Sequence, residues 1–123
     1  RPEDPVRPWN LYGASKACGE AIGRSFVEEH RMSCICLRLG WIVKEDRPLE
    51  KRGGCVFCSH RDVAQLIERC LLAGEEVRFE VFFGMSANRR LWVDLSNARK
   101  LVGYEPQDCG EEIWERRGTA GGG

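Results

Sequence analysis

A phenol and an ammonium stand four residues apart in Leu11-Tyr12-Gly13-Ala14-Ser15-Lys16-Ala17. On a helix that spacing puts both groups one turn apart on the same face. A phenol is a poor base at neutral pH, because its ordinary pKa of about 10 leaves it protonated. A neighbouring ammonium favours the phenolate, as any nearby opposite charge does. A phenolate held in this way can take the proton of a hydroxyl while hydride leaves the adjacent carbon. Tyr and Lys at this spacing also occur on solvated helix faces, so the pair by itself leaves both readings open.

The elements that must position this pair are legible from periodicity. A helix is predicted from Tyr12 to about His30, with Cys18, Ala21, Ile22, Ser25 and Phe26 as its apolar stripe. Ser33 to Leu39 reads as a short strand whose near-continuous apolar run suits a parallel sheet covered on both faces. Residues 41–58 read as a loop, charged and marked by Pro48 and Gly53-Gly54. A second helix is expected from His60 to Ala73. Ser59 and Asp62 resemble a capping box, Val63, Leu66, Ile67, Cys70 and Leu71 form the apolar face, and Gly74 sits at the expected C′ position. Val77 to Phe83 has strand composition. Asp94 is expected to cap a short helix ending at Val102-Gly103, and residues 111–117 to add a last turn. Residues 118–123 are too glycine-rich to order themselves.

This order is that of an alternating α/β chain. Two strands are too few for a complete doubly wound parallel sheet. No Gly-x-Gly-x-x-Gly follows either strand, so a pyrophosphate site is not encoded in this stretch. The expected organisation is one unit over residues 1–117, the C-terminal portion of a Rossmann-like sheet, followed by a tail at 118–123.

Composition narrows the function. With 42% hydrophobic residues the 123-residue chain can bury a core, and its nineteen basic and nineteen acidic residues cancel. No basic stripe with interleaved aromatics marks a nucleic-acid partner. The most apolar stretch, Cys34 to Val43, is interrupted by Arg38 and too short to span a bilayer. The polar, proline-rich opening, residues 1–5, reads as a loop and not as a leader. Seven scattered cysteines, Cys18 and Cys70 among them at apolar helix positions, suit a reducing cytoplasm better than a disulfide framework. Cys55-x-x-Cys58 with His60 has no second ligand pair at zinc-finger spacing, so no metal site is expected.

Four stretches in order carry a resemblance: Leu11 to Ala17 followed by Gly19-Glu20, Leu37-Arg38-Leu39-Gly40, Ser59-His60-Arg61-Asp62-Val63-Ala64, and Val102-Gly103-Tyr104-Glu105-Pro106. From about Pro8 to Asp108 the chain resembles the extended short-chain dehydrogenase/reductases, the NAD-dependent sugar epimerases and dehydratases. Gly84-Met85-Ser86-Ala87-Asn88 and Trp92-Val93-Asp94-Leu95-Ser96 make it most similar to uronate dehydrogenases. The resemblance implies an NAD- or NADP-dependent oxidoreductase acting on a sugar or sugar acid, with Tyr12 as general acid/base and Lys16 tuning it and reaching the nicotinamide ribose. It implies that Leu39, Gly40, Trp41 and Ile42 line the nicotinamide end, and that Arg52 meets a substrate carboxylate. It further implies that the chain is the C-terminal half of an enzyme, that most of the cofactor site precedes it, and that the enzyme is a homodimer. A stretch of this kind alone is expected to bind no dinucleotide. Trp41 departs from the family pattern, which has a small hydroxylated residue there; its indole either fills substrate space or packs under the following loop. A sugar-nucleotide epimerase or dehydratase, and a non-catalytic α/β module, are the alternative readings.

Overall fold

The computed structural model describes residues 2–3 and 10–120, the side chains of 118–120 excepted. The expected proline-rich opening and residues 121–123 of the glycine-rich tail therefore lie mostly outside the described residues, whereas residues 118–120, expected to stay unordered, continue the last helix. Helix α1 spans Leu11–Glu29, strand β1 Cys34–Leu39, helix α2 His60–Leu71, strand β2 Phe79–Gly84, helix α3 Ser96–Val102 and helix α4 Gly110–Ala120. The two strands are parallel, with Cys34 opposite Phe79 and Leu39 opposite Gly84. Parallel strands need a long crossover. Here it is the loop after β1, which contains a 3-10 helix at Lys51–Val56, and then α2.

Strand alternation sorts side chains onto two faces. Ile35 and Leu37 pack on the cluster of Leu66, Phe82, Ala98 and Tyr104, all fully buried beneath α2 and α3. On the opposite face Arg38 pairs with Glu20 of α1, and Gly23 lies so close to Cys34 that an added Cβ would strike its sulfur. The sheet is thus covered on both sides, as the apolar run of β1 implied.

The corrections are local. The face that α1 turns inward is lined by small or paired residues, Gly13, Ala17, Glu20 and Gly23, closing with buried Val27. The expected apolar stripe is on the outside: Cys18, Ala21 and Ser25 are exposed, and Ile22 and Phe26 are about half exposed. Close approach of helix to sheet decided the face, because only small residues let the two backbones come together. Gly74 is not a left-handed cap: α2 ends at Leu71 with Leu72 as its C-cap, and among the described glycines Gly103, at φ 74°, holds that conformation, closing α3. Asp94 acts one residue early, accepting from the Ser96 N–H at 2.8 Å while Leu95 occupies the cap position.

Asp62 is the polar hub of the core. Ser59 caps α2 by accepting from the Asp62 N–H at 3.1 Å, but the Asp62 carboxylate does not reach back. It is fully buried, and it accepts from Ser86 Oγ at 2.6 Å and from the Gln107 and Asp108 N–H groups at 2.7 and 3.1 Å. Three donors compensate a carboxylate removed from water. They tie the start of α2 to the segments following β2 and α3. Tyr104 completes the knot by donating from its buried hydroxyl to the Met85 carbonyl at 2.6 Å.

Candidate active site

The first turn of α1 is set by Asn10, whose Oδ1 accepts from the Gly13 N–H at 2.7 Å. Gly23 stands beside Cys34 at the start of β1 and Glu20 beside Arg38 near its end, so α1 runs antiparallel to the strand. At a helical rise of 1.5 Å, Lys16 then lies about 6 Å and Tyr12 about 12 Å beyond Glu20 along the helix axis. From Arg38 to Trp41 the strand direction advances about 10 Å. Tyr12 and Lys16 therefore overhang the C-terminal rim of the sheet, level with residues 39–42. Ligands of open α/β sheets bind at that rim.

The pair itself is assembled: Lys16 Nζ sits over the Tyr12 ring, 5.4 Å from its centroid. Tyr12 is 72% exposed, so its phenol faces open space. The helix that carries them is fastened by a two-pronged ion pair, Arg38 Nε and Nη2 donating to the two Glu20 oxygens at 2.8 Å each. That guanidinium holds the Glu20 carboxyl below the usual carboxylate range. Sequence periodicity left Glu20 off the expected apolar stripe of α1. The signal that could have found the pair was Arg38, a cation inside an otherwise apolar strand.

Residues 39–42 are partly engaged with the protein itself. The Gly40 N–H donates to the Gly84 carbonyl at 2.9 Å, and the Trp41 N–H to the Val56 carbonyl at 2.7 Å. The Trp41 carbonyl accepts from the Cys58 N–H at 2.9 Å. Gly40 is needed for this closeness, since a Cβ there would run into the Val56 carbonyl and the Met85 sulfur. The Trp41 indole lies against Gly53 of the 3-10 helix, the packing alternative, while remaining half exposed. Leu39 is also half exposed.

Arg52, on the 3-10 helix, opens onto a different space. It lines a cavity of about 430 Å³ with Lys51, Cys55, Arg89, Arg90, Glu111, Trp114 and Glu115. No residue of α1 lines that cavity, so the structure does not join Arg52 to the Tyr12/Lys16 pair within one pocket. Of the metal-like trio, Cys55 donates to the Arg52 carbonyl, Cys58 is buried, and the His60 ring is 2.6 Å from the Val43 carbonyl. Burial pushes the Cys58 thiol up to about 12.

In sequence and fold the chain is similar to known proteins. The chain is 38% identical over 108 residues to the NAD-dependent glucose-6-phosphate dehydrogenase of Haloferax volcanii, covering 87% of this chain and 40% of that protein. It is 34% identical to the uronate dehydrogenase of Pseudomonas putida, covering 87% and 38% respectively. The crystal structure of uronate dehydrogenase from Agrobacterium tumefaciens superposes with a TM-score of 0.83 at 32% identity, over 98% of this chain and 43% of that one. No protein-family model matches. Fold and rim together make this a portion of a Rossmann-like α/β architecture. The chain is a homologue of the uronate dehydrogenases and related NAD-dependent sugar dehydrogenases. It spans about two-fifths of the length of those curated relatives.

Proposed function

We propose that these residues serve an NAD(P)-dependent dehydrogenase that oxidises a sugar or sugar acid, with Tyr12 as the general acid/base. The observation that carries the reading is the exposed Tyr12 phenol with the Lys16 ammonium over its ring, overhanging the sheet rim. The residues present fit the nicotinamide-ribose end of the cofactor. They offer an open phenol, a cation and the exposed flanks of Leu39 and Trp41, but no glycine-rich turn for a pyrophosphate. The cofactor, when bound, supplies the acceptor for the substrate's hydride. Tyr12 takes the proton of the substrate hydroxyl as the carbonyl forms. Lys16 stabilises the phenolate and hydrogen-bonds the ribose. Leu39, Gly40, Trp41 and Ile42 border the nicotinamide; since the Gly40 and Trp41 N–H groups are already bonded, Leu39 and Trp41 act there through their exposed side chains and the half-buried Ile42 through its backbone. Arg52 holds an anionic group of the substrate.

Residues 1–117 form, in this reading, the C-terminal half of the cofactor domain, and the working enzyme is a cytoplasmic homodimer. The exposed Ile22 and Phe26 on α1 support a partner on that face, and seven free thiols fit a reducing compartment. Among the described residues no helix is long and apolar enough to cross a membrane. The test is NADH formation, followed by absorbance, by a polypeptide of the relatives' length containing this chain, across aldoses, uronates, sugar phosphates and nucleotide sugars. Steady NADH accumulation is expected. Product without NADH points instead to an epimerase or dehydratase, and silence across the panel to a non-catalytic module.

A further inference from the structure

The two outer edges of the sheet are not alike. Within the parallel pair the Cys34 N–H donates to the Arg78 carbonyl at 2.7 Å, and the Gly40 N–H to the Gly84 carbonyl at 2.9 Å. Residues 34, 36, 38 and 40 thus turn their backbone groups toward β2, and alternation turns those of Ile35, Leu37 and Leu39 away from it. The outer edge of β2 is occupied, because Asn97 of α3 donates from Nδ2 to the Val81 carbonyl at 2.9 Å. The outer edge of β1 is not: among the described residues the sheet ends there, with the Ile35, Leu37 and Leu39 N–H and C=O groups unpaired. Exposed edges are usually guarded by a lysine, a proline, a bulge or an inward-pointing charge. The strand Cys-Ile-Cys-Leu-Arg-Leu carries only Arg38, whose guanidinium is already taken by Glu20.

Apolar residues overhang this edge from both layers. On α1, Gly23 faces Cys34 of β1 and Arg24 lies over the Phe79 ring of β2, 5.1 Å from its centroid. Phe26 and Ile22, one turn apart on the far side of Gly23, therefore project past β1. On α2, Gln65 bonds the Glu105 N–H and carbonyl on the α3 side, and Leu66 points into the core. Ile67 and Leu71 lie on the opposite flank, toward the outer side of β1, and both are exposed.

We propose that the free edge of β1 pairs with β1 of a second copy of this chain, antiparallel, across a two-fold axis at Leu37. Self-complementarity selects that occupant. With the axis at Leu37, Leu37 faces its own copy and Ile35 faces Leu39 of the second copy, each as a pair that exchanges N–H···O bonds in both directions. Every free backbone group then has a partner, whereas an axis at Ile35 or Leu39 sets free groups opposite residues beyond the strand. On the α2 face the seam is isoleucine and leucine. On the α1 face Cys36 meets Arg38 of the second copy, so no like charges are opposed. Ile22 and Phe26 close over the seam from one layer, Ile67 and Leu71 from the other, as an isologous interface requires. The proposal concerns the 123-residue chain and is independent of the dehydrogenase reading.

The test combines sedimentation equilibrium of the reduced 123-residue chain with amide hydrogen exchange read by NMR at increasing protein concentration. A dimer is expected. The amides of residues 35, 37 and 39 should exchange more slowly as concentration rises, while those of 36 and 38, already bonded to β2, do not change. Leu39→Lys sets an ammonium against Ile35 of the second copy at both ends of the seam and should weaken association by about tenfold or more. Leu39 is half exposed, so the variant should keep its circular dichroism spectrum. Ile67→Glu, at an exposed helix position, should weaken association in the same direction, and Leu101→Lys, on α3 beyond the closed edge, should leave it unchanged. A monomer at NMR concentrations, a dimer whose 35, 37 and 39 amides exchange freely, or a folded Leu39→Lys variant that associates normally overturns the proposal. NADH formation plays no part in these readouts, so failure of the dehydrogenase reading shows separately.

Discussion

Two regions of this molecule are built on opposite plans. The α2–β2–α3 region is closed around fully buried Leu66, Phe82, Ala98 and Tyr104, with Asp62 bonding three donors at its centre. Helix α1, which carries Tyr12 and Lys16, touches the sheet through small residues, one ion pair and Val27, and leaves Ile22 and Phe26 about half exposed. Stability is concentrated in the first region and the candidate chemistry is presented by the second. A firm scaffold with reactive groups at its open rim is how function and folding are kept apart in α/β proteins.

The largest effect should come from breaking the hub. Asp62→Ala leaves the buried Ser86 hydroxyl and the part-buried Gln107 and Asp108 N–H groups without their acceptor. The loss in unfolding free energy should be on the order of 3–5 kcal/mol, enough to unfold a marginal chain. Urea denaturation followed by circular dichroism measures it. A loss below about 1 kcal/mol would mean that Asp62 is not the hub described.

A smaller, local effect should follow from releasing α1. Arg38→Met removes two charge-assisted hydrogen bonds from a partly exposed pair, at a cost of about 1–2 kcal/mol. Hydrogen exchange should rise in α1 and stay unchanged in α2 and β2. The pair also sets an acid limit. Glu20 is held below its unfolded value, so its contribution is fully present above the unfolded pKa of about 4.3 and is lost as pH falls through the folded value. Acid should therefore loosen α1 below about pH 4, and the Met variant should lack that transition. Equal acid response in both chains would remove Glu20–Arg38 as the fastening.

The smallest effect needs no mutation. Cys18 is exposed on α1, whereas Cys58 is fully buried with its thiol pushed up to about 12. Iodoacetamide at pH 8 should label Cys18 readily and leave Cys58 unmodified until the chain is unfolded, as read by peptide mass spectrometry. Comparable labelling of both would show that the closed region opens as freely as α1.

How much of this was legible in the sequence follows the same division. Periodicity located α2, which has one buried and one wet face and begins at His60 as expected, while apolar and β-branched runs located β1 and β2 within two residues of their observed starts. It failed on α1, because a helix that packs through glycine and alanine puts its weakest hydrophobes inward, and a hydrophobicity pattern then points the wrong way. The Tyr12/Lys16 juxtaposition was readable because four-residue spacing fixes it locally. The Asp62 hub and the basic cavity were not, since their partners lie 21 to 46 residues away in sequence and are brought together by the parallel crossover and the α4 packing.

Turnover of the Tyr12→Phe variant tests the central claim most directly. In a polypeptide of the relatives' length that includes this chain, with the sugar that gives the fastest NADH formation, the phenol is removed and the Lys16 ammonium kept. Steady-state turnover should fall by about two to four orders of magnitude, the usual worth of a positioned acid/base, with thermal unfolding unchanged because the hydroxyl is exposed. Turnover within a few-fold of the unmodified protein would contradict the assignment of Tyr12 as the group that moves the proton.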